Sequence, residues 1–255
     1  MIDTTQRIRP EGTARAIGRS LRIYHGDPAH GQALDALHAR FVAAGDLVFD
    51  IGAHVGDRIS SFRRLGARVV ALEPQPGAMR ALRLIHGRDR NVTLLQAAAG
   101  DVGGEITLLV NTKNPTVSTA SQDFIAAADG AAGWEGQSWD HRITVPALTL
   151  DALIAAHGAP DFVKIDVEGF EDRVLAGLSR PVKLLSFEFT TIQRDIAHKC
   201  LLRLASLGNY RFELALGENQ RFERGEWVSA GEMATLIEDL PLEAISGDVY
   251  ARLLV

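Results

Sequence analysis

The stretch Val48-Phe49-Asp50-Ile51-Gly52-Ala53-His54-Val55-Gly56 constrains this chain more than any other. An apolar run ends in an acid, and a turn bounded by two glycines follows. About two dozen residues later, Val69-Val70-Ala71-Leu72-Glu73-Pro74 repeats the form, apolar strand and then acid. In open α/β sheets, ligands bind beyond the carboxyl ends of the strands. Asp50 and Glu73 fall at such ends, on either side of one glycine turn. Gly52 and Gly56 can take positive φ and bring backbone N–H groups close to a ligand. The combination suits a nucleoside, with Glu73 as the group that accepts ribose hydroxyls.

The chain alternates around these two segments. Residues 1 to about 30 are polar and Arg-rich and read as a mobile arm, or as a helix that packs only in a full assembly. Ala33, Leu34, Leu37, Phe41 and Val42 recur at helical spacing, which predicts a helix over about 31–44. Strands are expected at 47–51, 68–72, 92–98, 105–110, 142–145, 161–166, 183–189, 210–216 and 248–254. Helices are expected at about 57–65, 76–86, 148–156, 170–178 and 195–207. Ser229 and Glu232 have the spacing of a capping box that opens one more helix, to about 239. Apolar strands alternating with helices argue a mainly parallel sheet covered on both faces. The helix-free close at Gly247–Val255 suits a last strand added by another connection, antiparallel to its neighbours. The domain expectation is an arm and helix over 1–45 followed by one domain over 46–255. The long segment 111–141 is the exception to the alternation. Its length argues a functional loop, and Ser118, Thr119 and Trp134 make it a candidate lid over the cofactor.

The turn chemistry narrows the ligand. The dinucleotide fingerprint needs Gly-x-Gly-x-x-Gly, whereas Gly52 and Gly56 form Gly-x-x-x-Gly. A P-loop needs Gly-Lys-Ser/Thr, but Asp57-Arg58 follows Gly56, and a carboxylate there would repel phosphate. A nucleoside carrying a cationic amino-acid arm fits better, as in S-adenosylmethionine, which becomes S-adenosylhomocysteine on losing its methyl group. Gln75 follows Glu73-Pro74 in the same loop, beside the expected adenosine. Ala97 and Ala98 are small enough to leave room for an adenine ring, and are equally ordinary core residues. Asp101 is a second candidate near the adenine amino group, and equally a turn residue.

A second cluster is Lys164-Ile165-Asp166-Val167-Glu168-Gly169-Phe170-Glu171. Period-two alternation puts Lys164 and Asp166 on one face of a strand. Asp166 and Glu168 stand where a methyl donor and an acceptor should meet. Gly169 permits a sharp turn, and Glu171 is better placed to cap the next helix than to react. Glu188 ends another apolar strand and adds an acid to the same rim. Candidate bases for a hydroxyl acceptor are Glu168, Asp166 and His54, with His141 a further one if its loop folds over the site. Asp166, Glu168 and Glu188 could hold a divalent metal, but no tight ligand motif supports one, so no metal is expected.

These blocks resemble the FkbM family of class I S-adenosylmethionine-dependent methyltransferases. The resemblance rests on Phe49–Gly56, Glu73-Pro74, Ala98-Ala99-Gly100-Asp101, Thr149-Leu150-Asp151 and Lys164–Glu171, and spans roughly 46–190. It implies a Rossmann-like α/β fold with a mostly parallel seven-stranded sheet, S-adenosylmethionine as donor, and O-methylation of a hydroxyl on a natural product or sugar. It also implies a cofactor site at Asp50, Gly52, Ala53, His54, Gly56, Glu73, Pro74, Gln75, Ala97, Ala98, Ser118 and Asp166, with Asp166, Glu168 and Lys164 as the catalytic candidates. Two alternatives stay open: a non-catalytic binder of the same cofactor, and, less well supported, a nicotinamide-dependent oxidoreductase.

Composition bounds the partners. Net charge is −5 over 255 residues, which gives no electrostatic reason to expect nucleic acid. No apolar run reaches the roughly 20 residues of a membrane span, and the N-terminus lacks the apolar core of a signal peptide. The expected compartment is the cytoplasm. The expected partner is a small-molecule or saccharide acceptor, with the oligomeric state open between monomer and homo-oligomer. Cys200 is the single cysteine, so no intrachain disulfide forms; its place on an apolar helix face argues an inert buried thiol.

Overall fold

The computed structural model describes residues 10–254. The chain begins with α1 (Pro10–His25) and α2 (Pro28–His38). It then alternates through β1 (Leu47–Ile51), α3 (Asp57–Arg64), β2 (Arg68–Leu72), α4 (Pro76–His86) and β3 (Val92–Leu95). A short excursion follows, with β4 (Ala98–Ala99), β5 (Gly104–Val110), α5 (Gln122–Ala128) and β6 (His141–Leu148). Alternation resumes with α6 (Leu150–His157), β7 (Phe162–Ile165), α7 (Glu171–Ala176), β8 (Leu184–Thr190) and α8 (Arg194–Leu207). The chain closes with β9 (Tyr210–Leu216), α9 (Ala230–Asp239) and β10 (Ser246–Leu253).

Seven strands form the central sheet in the order β3-β2-β1-β7-β8-β10-β9. Pairing from β3 to β8 is parallel, and β10 runs antiparallel to both β8 and β9. Alternate residues of each strand feed two cores. Phe49, Ile51, Val70, Leu72, Val163, Ile165 and Phe187 pack with Leu153, Val174, Leu204 and Ile237 on one face. Val48, Val69, Ala71 and Phe162 pack with Leu37, Ile59, Phe62 and Leu82 on the other. Strands buried on both faces explain why β1 and β2 read as unbroken apolar runs. From β1 the chain builds outward to β3, then crosses back to lay β7 on the other side of β1. The switch point between β1 and β7 is where such sheets bind ligands.

Three expectations need correction. The N-terminal segment does not wait for an assembly: α1 lies against α2 and α4, and Ile17 is buried with Val55, Ala78 and Ala81. Residues 1–9 of the expected arm lie outside the described residues. The third strand stops at Leu95, and Ala98–Ala99 pairs instead with β6, in a separate sheet of order β4-β6-β5. Segment 111–141 is no structureless loop. It carries a helical turn at Pro115–Val117 and α5, and Phe124, Ala128 and Trp134 give it a small core of its own. Cys200 is fully buried, and burial holds its thiol well above the usual range. Among the described residues, no helix is long and apolar enough to cross a membrane.

Candidate functional site

A cleft of about 990 Å³, open mouth included, lies at the switch point. Its walls come from the ends of β1, β2 and β7, from β4, from segment 111–141, and from α1 and α3. Twelve of the fourteen candidate residues line it: Asp50, Gly52, Ala53, His54, Glu73, Pro74, Gln75, Ala97, Ala98, Ser118, Asp166 and Glu168.

Two candidates do not. Gly56 starts α3 and faces Leu82 and His86, where a side chain would clash. Lys164 sits behind the wall, 2% exposed, bound to Asp166 at 3.1 Å and to Asp248 at 2.8 Å. Three weaker candidates also lie off the cleft wall. Asp101 pairs with Arg173 at 2.6 Å, His141 opens β6 opposite Val110, and Trp134 stacks edge-on against Phe124. None of the three lines the cleft.

On the β1–β2 side the backbone sets the geometry. Gly52 has φ +89°, and a Cβ there would lie 1.8 Å from the Asp166 carbonyl oxygen, so the two loops meet with no room for a side chain. The Glu73 carboxylate accepts the N–H of His54 at 2.9 Å and of Gln75 at 2.7 Å. These bonds fix its direction across the turn. Burial nonetheless pushes its carboxyl up to about 8, with the two N–H groups pulling the other way. Asp50 is 1% exposed, and neither of its oxygens has a partner. Burial pushes it up to about 7, against the pull of Arg58 and Lys164. An orphaned buried carboxyl in a cleft is expected where a ligand supplies the missing donor or cation.

His54 follows at φ +44°, with both ring nitrogens buried and unpartnered. Burial lowers its pKa to about 4, so it is neutral at pH 7. Leu72, Ala97, Ala98, Ala99, Leu108 and Phe170 supply apolar lining to the cleft. Segment 111–141 closes it from the side. Gln75 Nε2 donates to the Pro115 carbonyl at 2.9 Å, and Ser118 Oγ donates to Gln75 Oε1 at 3.2 Å. The segment is a stitched wall, and in this structure the cleft needs no lid movement to be enclosed there.

The β7–β8 side concentrates charge. Asp166, Glu168 and Glu188 each have a carboxylate oxygen within 4.8 Å of the others. Among the described residues they are the one such group of three metal-ligand-type side chains. Burial alone would raise Asp166, but Lys164 and Arg58 outweigh it and hold the carboxyl below its usual range. Burial and the Asp166 charge hold Glu168 and Glu188 well above theirs. The trio therefore favours the charged form at Asp166 and the neutral form at Glu168 and Glu188. Glu171 stands behind it, accepting the Val167 N–H at 3.0 Å. Burial pushes its carboxyl up to about 7. It opens α7, as its sequence position predicted.

Tyr24, Asp57, Arg58 and Glu218 also line the cleft and were missed. Tyr24 lies edge-on to His54, with centroids 6.1 Å apart. Arg58 binds Asp57 at 3.1 Å and lies 3.8 Å from Glu218. A signal for Tyr24 was present: Ile17, Leu21 and Tyr24 recur at helical spacing inside the segment read as polar. No comparable signal marked Glu218, which a loop brings in after β9.

A model of the methyltransferase FkbM domain matches residues 50–239, well over half of the chain. No match to a curated protein was found. Solved structures are similar at low identity. A TehB-like SAM-dependent methyltransferase from Corynebacterium glutamicum shares 10% identity, with 96% of this chain and 100% of that chain covered and a TM-score of 0.50. An O-methyltransferase from Bacillus cereus, in complex with SAH, shares 12%, with 98% and 94% covered and a TM-score of 0.46. Precorrin-6y C5,15-methyltransferase from Geobacter metallireducens shares 15%, with 88% and 87% covered and a TM-score of 0.45. At these identities the likeness bears on the fold alone, and only the first reaches a score that supports it.

Proposed function

The chain belongs to the FkbM methyltransferase family, whose members use S-adenosylmethionine, and on that premise we propose that it methylates a hydroxyl of a small molecule or saccharide. Neither alternative left open by the sequence, a nicotinamide oxidoreductase or a non-catalytic binder, matches the family. The observation that carries the reading is the Asp166, Glu168 and Glu188 trio, within 4.8 Å, on the wall that also holds Asp50 and Glu73.

The residues present fit the cofactor. Asp50 has two unpartnered oxygens for a cationic arm. Glu73, aimed by two N–H groups, can accept both hydroxyls of a ribose. Charge-assisted bonds of that kind contribute about 1.5–3 kcal/mol each. Ala97, Ala98 and Leu108 leave an apolar slot for the base, with Gln75 and Ser118 at its edge. Gly52, Ala53, His54 and Pro74 complete the wall, and Asp166, just beyond β7, would help hold the arm. When bound, S-adenosylmethionine supplies an already activated methyl group.

What remains for the protein is to orient the acceptor and take its proton. Orientation contributes up to about 7–11 kcal/mol when the reacting atoms are aligned. A neutral hydroxyl also needs a base. Glu168 is that base in our reading. It lies at the cleft wall, and positive charge brought into the cleft favours its ionised form. Glu188 shares the proton, and Asp166 remains the charged member. Lys164 acts on the trio through Asp166 and meets no substrate itself. In this reading the methyltransferase domain begins at about residue 46, and α1 adds Tyr24 to the cleft wall.

The test is transfer of labelled methyl from S-adenosylmethionine into a cell extract, followed by product identification. A labelled ether on a small molecule or saccharide supports the proposal. Label found only on nitrogen, on carbon, or in nucleic acid contradicts it.

A further inference from the structure

We propose that Thr119 is a positioning residue for Glu168, bracing the turn that holds the Glu168 carboxylate beside Asp166 and Glu188. The inference rests on the reading of Glu168 as the proton acceptor. Glu168 has φ +58° and Gly169 follows at +79°, two left-handed residues in succession. A glutamate rarely holds that conformation, and it persists only where its surroundings over-determine it. The surroundings come from a distant part of the chain. Thr119 Oγ1 donates to the Glu168 carbonyl oxygen at 2.6 Å, across 49 residues of sequence.

Thr119 is itself immobile. It is fully buried, and its backbone exchanges two hydrogen bonds with Leu109, of 3.0 and 2.8 Å. Its hydroxyl also accepts the Ser121 N–H at 2.8 Å, so both sides of the oxygen are used. Ser121 in turn accepts the Phe124 N–H and caps α5. The Phe124 ring lies so close to Gly169 that a Cβ there would be 2.7 Å from it. One short stretch, from Thr119 to Phe124, therefore grips the turn at two successive residues: a hydroxyl on the Glu168 carbonyl and a ring on Gly169.

The two grips do different work. Phe124 fills space, which many apolar residues can do. The Thr119 hydroxyl fixes the direction of one peptide plane. If that plane turns, the left-handed pair at Glu168 and Gly169 is no longer held, and the turn that keeps the trio within 4.8 Å is free to relax. The prediction is therefore specific to the hydroxyl. Valine has nearly the shape of threonine and lacks the donor, whereas serine keeps the donor and lacks the methyl group.

The experiment uses the full chain labelled with ¹³C at glutamate carboxyls, with the Glu168 signal assigned from its loss in Glu168→Gln. Thr119→Val should move the Glu168 titration towards the ordinary glutamate range by about one pH unit or more. Labelled methyl transfer into extract should fall roughly 10- to 100-fold. Calorimetric affinity for S-adenosylhomocysteine should stay within about 2-fold, because no cofactor contact is touched. Thr119→Ser should recover both the titration and the transfer. Thr119→Ala, which removes the hydroxyl without inserting a methyl in its place, must shift the titration in the same direction as Val. Wild-type titration and transfer in Val or Ala would overturn the proposal, as would a Ser variant as impaired as Val. Failure of the base reading looks different: Glu168→Gln would transfer at the wild-type rate, while the Val and Ser titrations would still separate.

Discussion

The two halves of the cleft use the same kind of residue in opposite ways. On the β1–β2 side, Asp50 and Glu73 are buried with no direct cation partner, and burial lifts both to about 7 and 8. Their geometry is set by the backbone, through Gly52 and the N–H groups of His54 and Gln75. On the β7–β8 side, a buried lysine helps hold one carboxyl below its usual range, and burial together with that charge raises the two beside it. The first half is electrostatically incomplete. The second is partly balanced by Lys164 and Arg58. We read the first as the binding half and the second as the proton-handling half.

Removing that lysine should break the contrast most strongly. Lys164→Met leaves buried Asp248 and half-buried Asp166 without their nearest cation. A loss of about 3–5 kcal/mol in unfolding free energy is expected from denaturant titration. Adding Asp248→Asn should restore part of it, since one uncompensated charge is removed. A loss under about 1 kcal/mol would mean that the lysine balances little.

Glu73→Ala tests the binding half alone. Affinity for S-adenosylhomocysteine should fall roughly 10- to 100-fold by calorimetry, the weight of one or two charge-assisted bonds. The Glu168 titration should stay where it is. Unchanged affinity would remove Glu73 from the site.

The smallest effect is on pH dependence. Asp50 and Glu73 have folded pKa values raised above their unfolded ones, so the stability they contribute is complete below about pH 4 and is lost as pH rises through 7–8. Buried His38 and His54 act below pH 6.5 in the opposite sense, because their folded values are lowered to about 3 and 4. Above pH 6.5 the lowered histidines no longer titrate, and Glu171, raised to about 7, adds to the loss in the same sense, so the window is pH 6.5–8. There the ligand-free protein should lose up to about 1 kcal/mol per pH unit for each raised carboxyl. Glu73→Gln should flatten the slope, and an identical slope in that variant would contradict the assignment.

Much of the fold was legible because parallel strands buried on both faces announce themselves as apolar runs. Helix α4 and strand β9 fall where the periodicity placed them. The Ser229–Glu232 capping box forms, with each side chain bound to the other's backbone. The final strand is antiparallel, as the helix-free close at Gly247–Val255 suggested. The binding half was local: Asp50, Gly52, His54, Glu73 and Gln75 meet through two adjacent loops.

What the sequence hid were meetings across long separations. Nothing near Lys164 announces Asp248, 84 residues away, so a buried ion-pair partner read as a catalytic lysine. Nothing near Glu168 announces Thr119. Thr149-Leu150-Asp151 drew notice as a motif, yet Thr149 caps α6 and Asp151 accepts the Ser179 N–H, both tasks of the fold. Tyr24 was hidden by the arginines around it: an apolar stripe three residues wide is easily lost in a polar helix.

The central claim, that one half of the cleft binds and the other handles the proton, is tested most directly by Glu168→Gln measured in two channels on one preparation. Calorimetry should give S-adenosylhomocysteine affinity within about 3-fold of wild type, since a glutamine side chain keeps the shape of the wall. Labelled methyl transfer should fall about 10²- to 10⁴-fold, the usual weight of a general base. Equal loss in both channels, or transfer at the wild-type rate, would contradict the division.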